Sequence, residues 1–142
     1  MPNSIRTIQV NTTPAYEVTI GGGLLHNCGQ RLKKVLAPCH VAVMTDSTVA
    51  SLYLDTVCSS LKKAGFWVVG ADMDGAENFY EANLTGPLLL IVGSEGKGMG
   101  RLTKEQCDFL VKIPMHGRIN SLNASVACSL LLYEAERQRN AK

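Results

Sequence analysis

The feature of this sequence that most restricts its fold is an apolar segment that stops abruptly at a glycine-rich one. Residues 88–92 read Leu-Leu-Leu-Ile-Val, and residues 93–100 read Gly-Ser-Glu-Gly-Lys-Gly-Met-Gly. A short, wholly apolar run is typical of a strand buried on both faces of a parallel sheet. Glycines directly after such a strand let the backbone approach a ligand closely and expose N–H groups. We therefore expect an α/β fold with a ligand crevice at the carboxyl ends of its strands.

A second apolar run, residues 109–113, ends at Pro114-Met115 and predicts another buried strand. Ser121-Leu122-Asn123 then precedes a long amphipathic segment, which predicts a last helix capped by Asn120 or Ser121. The apolar stripe expected on this helix consists of Leu122, Val126, Leu130 and Tyr133.

The rest of the chain predicts alternating strands and helices. Strands are expected at 5–10, 16–20, 40–44 and 66–69, with helices after the second and third of them. The second helix should bury Val49, Leu52, Tyr53, Val57 and Leu61. Further along, a short helical link is expected at 76–82 and a helix from Thr103 through Asp108. Strand–helix–strand order with connections of this length predicts a mostly parallel sheet flanked by helices.

Composition narrows the class of protein. With 142 residues, 46% hydrophobic and 18% charged, the chain has the makeup of one water-soluble domain. The apolar runs are too short for a membrane span, and the first ten residues lack a signal-peptide core, so we expect a cytoplasmic protein without a membrane partner. The net charge of +2 predicts no strongly basic face. Five scattered cysteines and three histidines show no ligand spacing, which predicts reduced thiols and no metal.

Three motifs in the second half resemble those of a known family. They read GSEGKGMG at 93–100, IPMHG at 113–117 and SLNASVA at 121–127. Flanking words at 85–87 (TGP), 102–108 (LTKEQCD) and 131–139 (LLYEAERQR) fit the same pattern. Together they resemble the cofactor-binding half of the SpoU, or TrmH-like, RNA methyltransferases of the SPOUT class. The resemblance begins at about Gly65 and continues to the C-terminus.

The resemblance implies a SPOUT-like fold with a C-terminal trefoil knot, a homodimer formed through the terminal helix, and RNA as the partner. It implies methyl transfer from S-adenosylmethionine to a ribose 2′-hydroxyl. The cofactor would be held, largely by backbone groups, at Gly93, Gly96, Ile113, Met115 and Leu122. The catalytic residues carried over by the resemblance are Glu95, Ser121 and Asn123.

The residues themselves leave plainer roles open. Ile113 and Leu122 could belong to the core, and Ser121 could only cap a helix. Glu95 could be a solvated loop carboxylate, and Asn123 a satisfied amide near a helix start.

The first half resembles a different family, the 3-dehydroquinate synthases. The words that carry this resemblance are YEVTIGGGLL at 16–25, VMTDSTVASLY at 43–53 and SLKKAGF at 60–66. It implies that the turn of Asp46 and Thr48 lies against the adenosine part of NAD. The glycine-rich NAD loop, the metal ligands and the helical second domain of that family are absent, which excludes a dehydroquinate synthase. We expect a single domain built of two halves, 1–66 and 67–142, and interpret the chain as a chimera.

One expected group is missing from the first half. The SpoU-like family's first motif supplies an asparagine and a catalytic arginine after an early strand. Residues 45–51 contain no arginine, and Arg6 and Arg31 stand in other contexts. The sequence therefore predicts weak binding of S-adenosylmethionine with little or no methyl transfer. Two other functions stay open: a noncatalytic chimera, and a nucleotide- or NAD-binding module that uses the Asp46 turn.

Overall fold

The computed structural model describes residues 4–36, 40–43, 45, 47–94, 98–115 and 122–141. A 3-10 helix, Leu24–Asn27, precedes the first α-helix. The strands and α-helices are, in chain order, β1 Arg6–Val10, β2 Tyr16–Ile20, α1 Cys28–Val35, β3 His40–Ala42, α2 Ser47–Lys63, β4 Trp67–Ala71, β5 Glu77–Asn78, β6 Leu88–Val92, α3 Arg101–Gln106, β7 Phe109–Lys112 and α4 Ala124–Asn140. Within these ranges, no helix has both the length and the hydropathy to cross a bilayer.

Five strands form one parallel sheet, which confirms the predicted α/β class. Their order is β3-β6-β4-β7-β5, and every neighbouring pair is parallel. β1 and β2 form a separate antiparallel hairpin. β4 lies between β6 and β7, although it precedes both in the chain. The carboxyl ends of these three central strands therefore meet at one edge of the sheet.

Helices cover both faces of the sheet. On one face, Leu89 and Ile91 of β6 pack in a core that includes residues of α2 and draws in side chains of α1. On the other face, Leu88 and Leu90 share a core with Leu131 of α4. Successive strand residues point to opposite faces, so the wholly apolar sequence of β6 is what two covered faces require.

The structure corrects the buried face predicted for α4. Val126, Leu130 and Tyr133 are exposed, by 48%, 38% and 76%. The residues that α4 buries are Ala127, Leu131, Glu134 and Ala135. Two apolar stripes run along this helix, and periodicity alone cannot decide which faces the sheet. The buried stripe contains two alanines, whose small side chains let the helix approach β6 closely.

The buried face of α2 was also predicted wrongly in part. Val49, Leu52 and Tyr53 are exposed, whereas Leu61 is buried as expected. Leu54 and Cys58 take the core positions instead. The helix is apolar around much of its circumference, so the sequence pattern offered two possible faces.

Three local predictions are wrong as well. The expected helical link at 76–82 contains β5, which pairs with β7. α3 begins at Arg101 after the N-cap Gly100, not at a Thr103 cap. α4 is capped by Asn123 and not by Asn120 or Ser121. The trefoil knot implied for the second half stays a prediction, and residues 116–121 of that half lie outside the described residues.

Candidate functional site

Gly93 and Ile113, two of the predicted cofactor positions, lie at one edge of the sheet. Gly93 follows β6, and Ile113 follows β7. β4 runs between these two strands, and Asp72 is the first residue after it. Leu122 lies just before the cap of α4, the helix that packs on β6. Gly93, Ile113, Met115 and Leu122 are all half-buried, whereas Glu95, Gly96 and Ser121 lie outside the described residues.

The glycine-rich segment folds back on its own strand. The Ser94 N–H donates to the Gly98 carbonyl at 3.1 Å, and the Gly98 N–H donates to the Ser94 carbonyl at 2.9 Å. Gly98 has a positive φ of 62°, which favours glycine. A Cβ on Gly93 would lie 2.4 Å from the Gly98 carbonyl carbon. The loop is thus closed tightly over Gly93, and Met99, which is buried, anchors it in the core.

Asn123 has a structural role at the start of α4. Its side-chain oxygen accepts a hydrogen bond from the Ser125 N–H at 2.9 Å, as in an N-cap. The plainer reading of Asn123 as a satisfied cap amide is therefore confirmed. The catalytic role implied by the resemblance stays a prediction.

A cavity of about 620 Å³ opens beside the glycine loop. It exists because β3 ends at Ala42, opposite Leu90, whereas β6 continues to Val92. The space beyond β3 is enclosed by α2, the start of α3 and the start of α4. Gly93 borders this cavity, whereas Ile113, Met115 and Leu122 are not part of its wall. The cavity therefore adjoins the predicted cofactor positions only at the glycine loop.

The cavity wall contains an arginine that the sequence did not single out. Arg101 lines it, and its guanidinium pairs with Glu105 one turn along α3. Arg31, in contrast, donates to the Thr19 hydroxyl at 2.8 Å, away from the sheet edge. Arg6 belongs to the separate hairpin. The position of Arg101 directly after the glycine-rich segment could have marked it as a candidate in the sequence. Only the fold shows that it lines a cavity.

A carboxylate with little solvent exposure lies between the two predicted cofactor loops. Lys104 Nζ donates to Asp72 Oδ1 at 2.7 Å and to Asp74 Oδ2 at 2.9 Å. The Asp72 side chain is 9% exposed and that of Asp74 is 80% exposed. Burial raises the pKa of Asp72, but hydrogen bonds from Lys104 and from the Asp74 N–H outweigh burial, and the pKa lies below its usual value. Asp72 is therefore ionised at neutral pH.

Of the thiols close to this site, Cys58 is buried and Cys107 is half-buried. Burial raises the pKa of both Cys58 and Cys107 to about 11. All cysteines in the described ranges are free. No group of three His, Cys, Asp or Glu side chains in the same ranges could hold a metal ion. Asp46, predicted to contact NAD, is one of the residues that the structure does not describe.

The fold is that of solved SpoU methyltransferases. The SpoU methyltransferase AviRb from Streptomyces viridochromogenes, solved in complex with the cofactor AdoMet, superposes with a TM-score of 0.58 at 28% identity. The match covers 84% of this chain and 57% of AviRb.

Sequence comparisons also identify the SpoU family, and they do so at higher identity. Residues 40–133 match the model of the SpoU rRNA Methylase family. The chain is 58% identical over 80 residues to the putative TrmH family tRNA/rRNA methyltransferase YacO of Bacillus subtilis. It is 51% identical over 94 residues to the 23S rRNA (guanosine-2′-O-)-methyltransferase RlmB of Pseudomonas putida. These matches cover 56% and 66% of this chain but only 32% and 38% of the relatives.

This chain belongs to the SpoU rRNA methylase family, as the second-half motifs predicted. It spans about a third of the length of the curated relatives it matches. The family match starts at residue 40, well before the predicted beginning at Gly65. The resemblance of residues 1–66 to dehydroquinate synthase receives no support from these comparisons and stays a prediction.

Proposed function

We propose that this chain binds S-adenosylmethionine in the crevice at the carboxyl ends of β6, β4 and β7. The observation that carries the proposal is the closed glycine loop, whose backbone lies at the end of β6, on the same sheet edge as the segment after β7. Ligands of open α/β sheets bind at this edge. The half-buried positions Gly93, Ile113 and Leu122 fit a ligand held by backbone groups.

The reaction proposed for this site is methyl transfer to a ribose 2′-hydroxyl of RNA. When bound, S-adenosylmethionine supplies an electrophilic methyl group on its sulfonium. The chain must hold the acceptor in line and help remove a proton from a weak nucleophile. The cavity beside Gly93 is large enough for a nucleotide, and we assign the acceptor to it. Glu95, Ser121 and Asn123 remain the proposed catalytic residues.

We expect binding without efficient turnover. Calorimetry should detect S-adenosylhomocysteine, because the cofactor loops are retained. A labelled-methyl assay on bulk RNA should show little or no transfer, because no arginine follows β3 at 45–51. Robust turnover would contradict the missing-arginine argument. In that case an Arg101→Met variant would show whether the arginine in the cavity wall has taken over.

Two further possibilities are separated by simple titrations. A module that binds NAD through the Asp46 turn would bind NAD more tightly than S-adenosylhomocysteine. A noncatalytic chimera would fold cooperatively and bind neither ligand. The closed glycine loop favours the methyl-donor assignment over both.

The exposed stripe of α4 supports the proposal of a homodimer. Val126, Leu130 and Tyr133 lie on one side of the helix and are exposed by 48%, 38% and 76%. Apolar side chains grouped in this way often mark an interface. Sizing chromatography should show a dimer, and Tyr133→Lys should shift it towards a monomer. Trp67→Lys, at a 58% exposed position at the start of β4 and outside this stripe, is the control and should leave the dimer intact. We also propose the family's trefoil knot.

A further inference from the structure

Asp72 has a position that no sequence motif assigns. It follows β4 directly, and its N–H donates to the Val111 carbonyl of β7 at 2.9 Å. On its other side, Asp72 Oδ2 lies 4.0 Å from the place that a Cβ on Gly98 would occupy. Asp72 thus lies beside both β7 and the glycine loop, at the carboxyl edge of the sheet. This edge is where the proposed function puts the cofactor.

The two carboxylate oxygens of Asp72 have different surroundings. Oδ1 accepts from Lys104 Nζ at 2.7 Å and from the Asp74 N–H at 3.1 Å. Among the described residues, Oδ2 accepts no hydrogen bond. The Asp72 side chain is nevertheless only 9% exposed. A buried carboxylate oxygen with spare lone pairs is a strong acceptor for a ligand donor.

We propose that Asp72 recognises the ribose of the bound cofactor by accepting hydrogen bonds from its vicinal hydroxyls through Oδ2. The inference rests on the proposed function. Lys104 is shared by Asp72 and Asp74, and it contacts only Oδ1 of Asp72, so the vicinal hydroxyls of a ribose can supply neutral donors to Oδ2. In dinucleotide-binding folds, an acidic residue likewise accepts a hydrogen bond from a ribose hydroxyl. Asp72 is thereby a specificity-determining residue of the cofactor site.

The test is calorimetry with two probes, 5′-methylthioadenosine and its 2′,3′-dideoxy form. The first keeps the ribose diol but lacks the amino-acid part of the cofactor. The unsubstituted chain should bind it about 10- to 100-fold more tightly than the dideoxy form, the range for a hydrogen bond to a charged group. Asp72→Asn should weaken binding of methylthioadenosine and S-adenosylhomocysteine by a similar factor. It should also remove most of the discrimination against the dideoxy probe.

Asp74→Asn is the matched control. Asp74 pairs with the same lysine but is 80% exposed, so its variant should bind both probes like the unsubstituted chain. Equal affinity of the unsubstituted chain for the two probes would overturn the inference, even if Asp72→Asn failed to fold. So would an Asp72→Asn variant that weakens only S-adenosylhomocysteine, because Asp72 would then contact the ammonium group. If the unsubstituted chain binds none of these ligands, the proposed function fails and this inference fails with it.

Discussion

A Gly93→Val variant is expected to lose all detectable binding of S-adenosylhomocysteine. From the sequence, a glycine here was expected to let the backbone approach a ligand closely, and the structure gives a further reason why a side chain is not tolerated. A Cβ at this position would lie 2.4 Å from the Gly98 carbonyl carbon and 2.6 Å from the Met99 nitrogen. The backbone of the glycine loop would have to move away, and the Ser94–Gly98 pair would open. Calorimetry measures the loss, and thermal unfolding should show a lower midpoint as well.

Gly100→Ala provides the control for this prediction. Nothing lies within 4 Å of a Cβ on Gly100, and its φ of −64° suits any residue. This variant should bind and unfold like the unsubstituted chain. If Gly93→Val kept its affinity, the closed loop would not be part of the cofactor site.

Leu131→Ala should lower the free energy of unfolding by about 2–5 kcal/mol, the usual range for removing a fully buried leucine side chain. Leu131 has 0% exposure and packs in the same core as Leu88 and Leu90 of β6. Its loss would leave a cavity beneath α4, the helix whose first turn borders the acceptor space. Urea denaturation followed by circular dichroism measures the change.

Leu130, the residue before Leu131, provides the control for this prediction. Leu130 is 38% exposed in the single chain, so at concentrations where the chain is monomeric Leu130→Ala should change the free energy of unfolding by no more than about 0.5 kcal/mol. If the two variants destabilised the monomeric chain equally, Leu130 would have to be buried as well, which would contradict the observed exposure of its stripe. Gln138 also holds α4 against the segment that precedes β6. Its side chain accepts a hydrogen bond from the Leu84 N–H at 2.9 Å and donates one to the Ala82 carbonyl at 3.0 Å. This contact should keep the C-terminal half of α4 in place in both variants.

The parts of the fold that the sequence predicted well are those set by local chemistry. The apolar run 88–92 coincides with β6, because a strand buried on both faces leaves no room for polar side chains. The buried faces of α2 and α4 were predicted less well. Their sequences contain two apolar stripes, and only tertiary packing selects one. β5 was missed because two residues paired at a sheet edge carry almost no periodic signal.

The residues of the candidate site were likewise predicted only in part. Gly93 was found through the glycines that follow a buried strand, and the structure places it at the sheet edge as expected. Asp72 and Arg101 were missed, since neither stands in a motif. Their relevance depends on β4 lying between β6 and β7 and on β3 being short, and both are consequences of topology.

The insertion of β4 between two strands that follow it has a consequence for biosynthesis. A nascent chain that has left the ribosome only as far as β6 can pair β4 on one side and must leave its other edge open until β7 is made. The ligand crevice is therefore completed among the last steps of folding, after long-range pairing has closed the sheet. Until then, the exposed edge of β4 is the segment most open to wrong pairing with another chain.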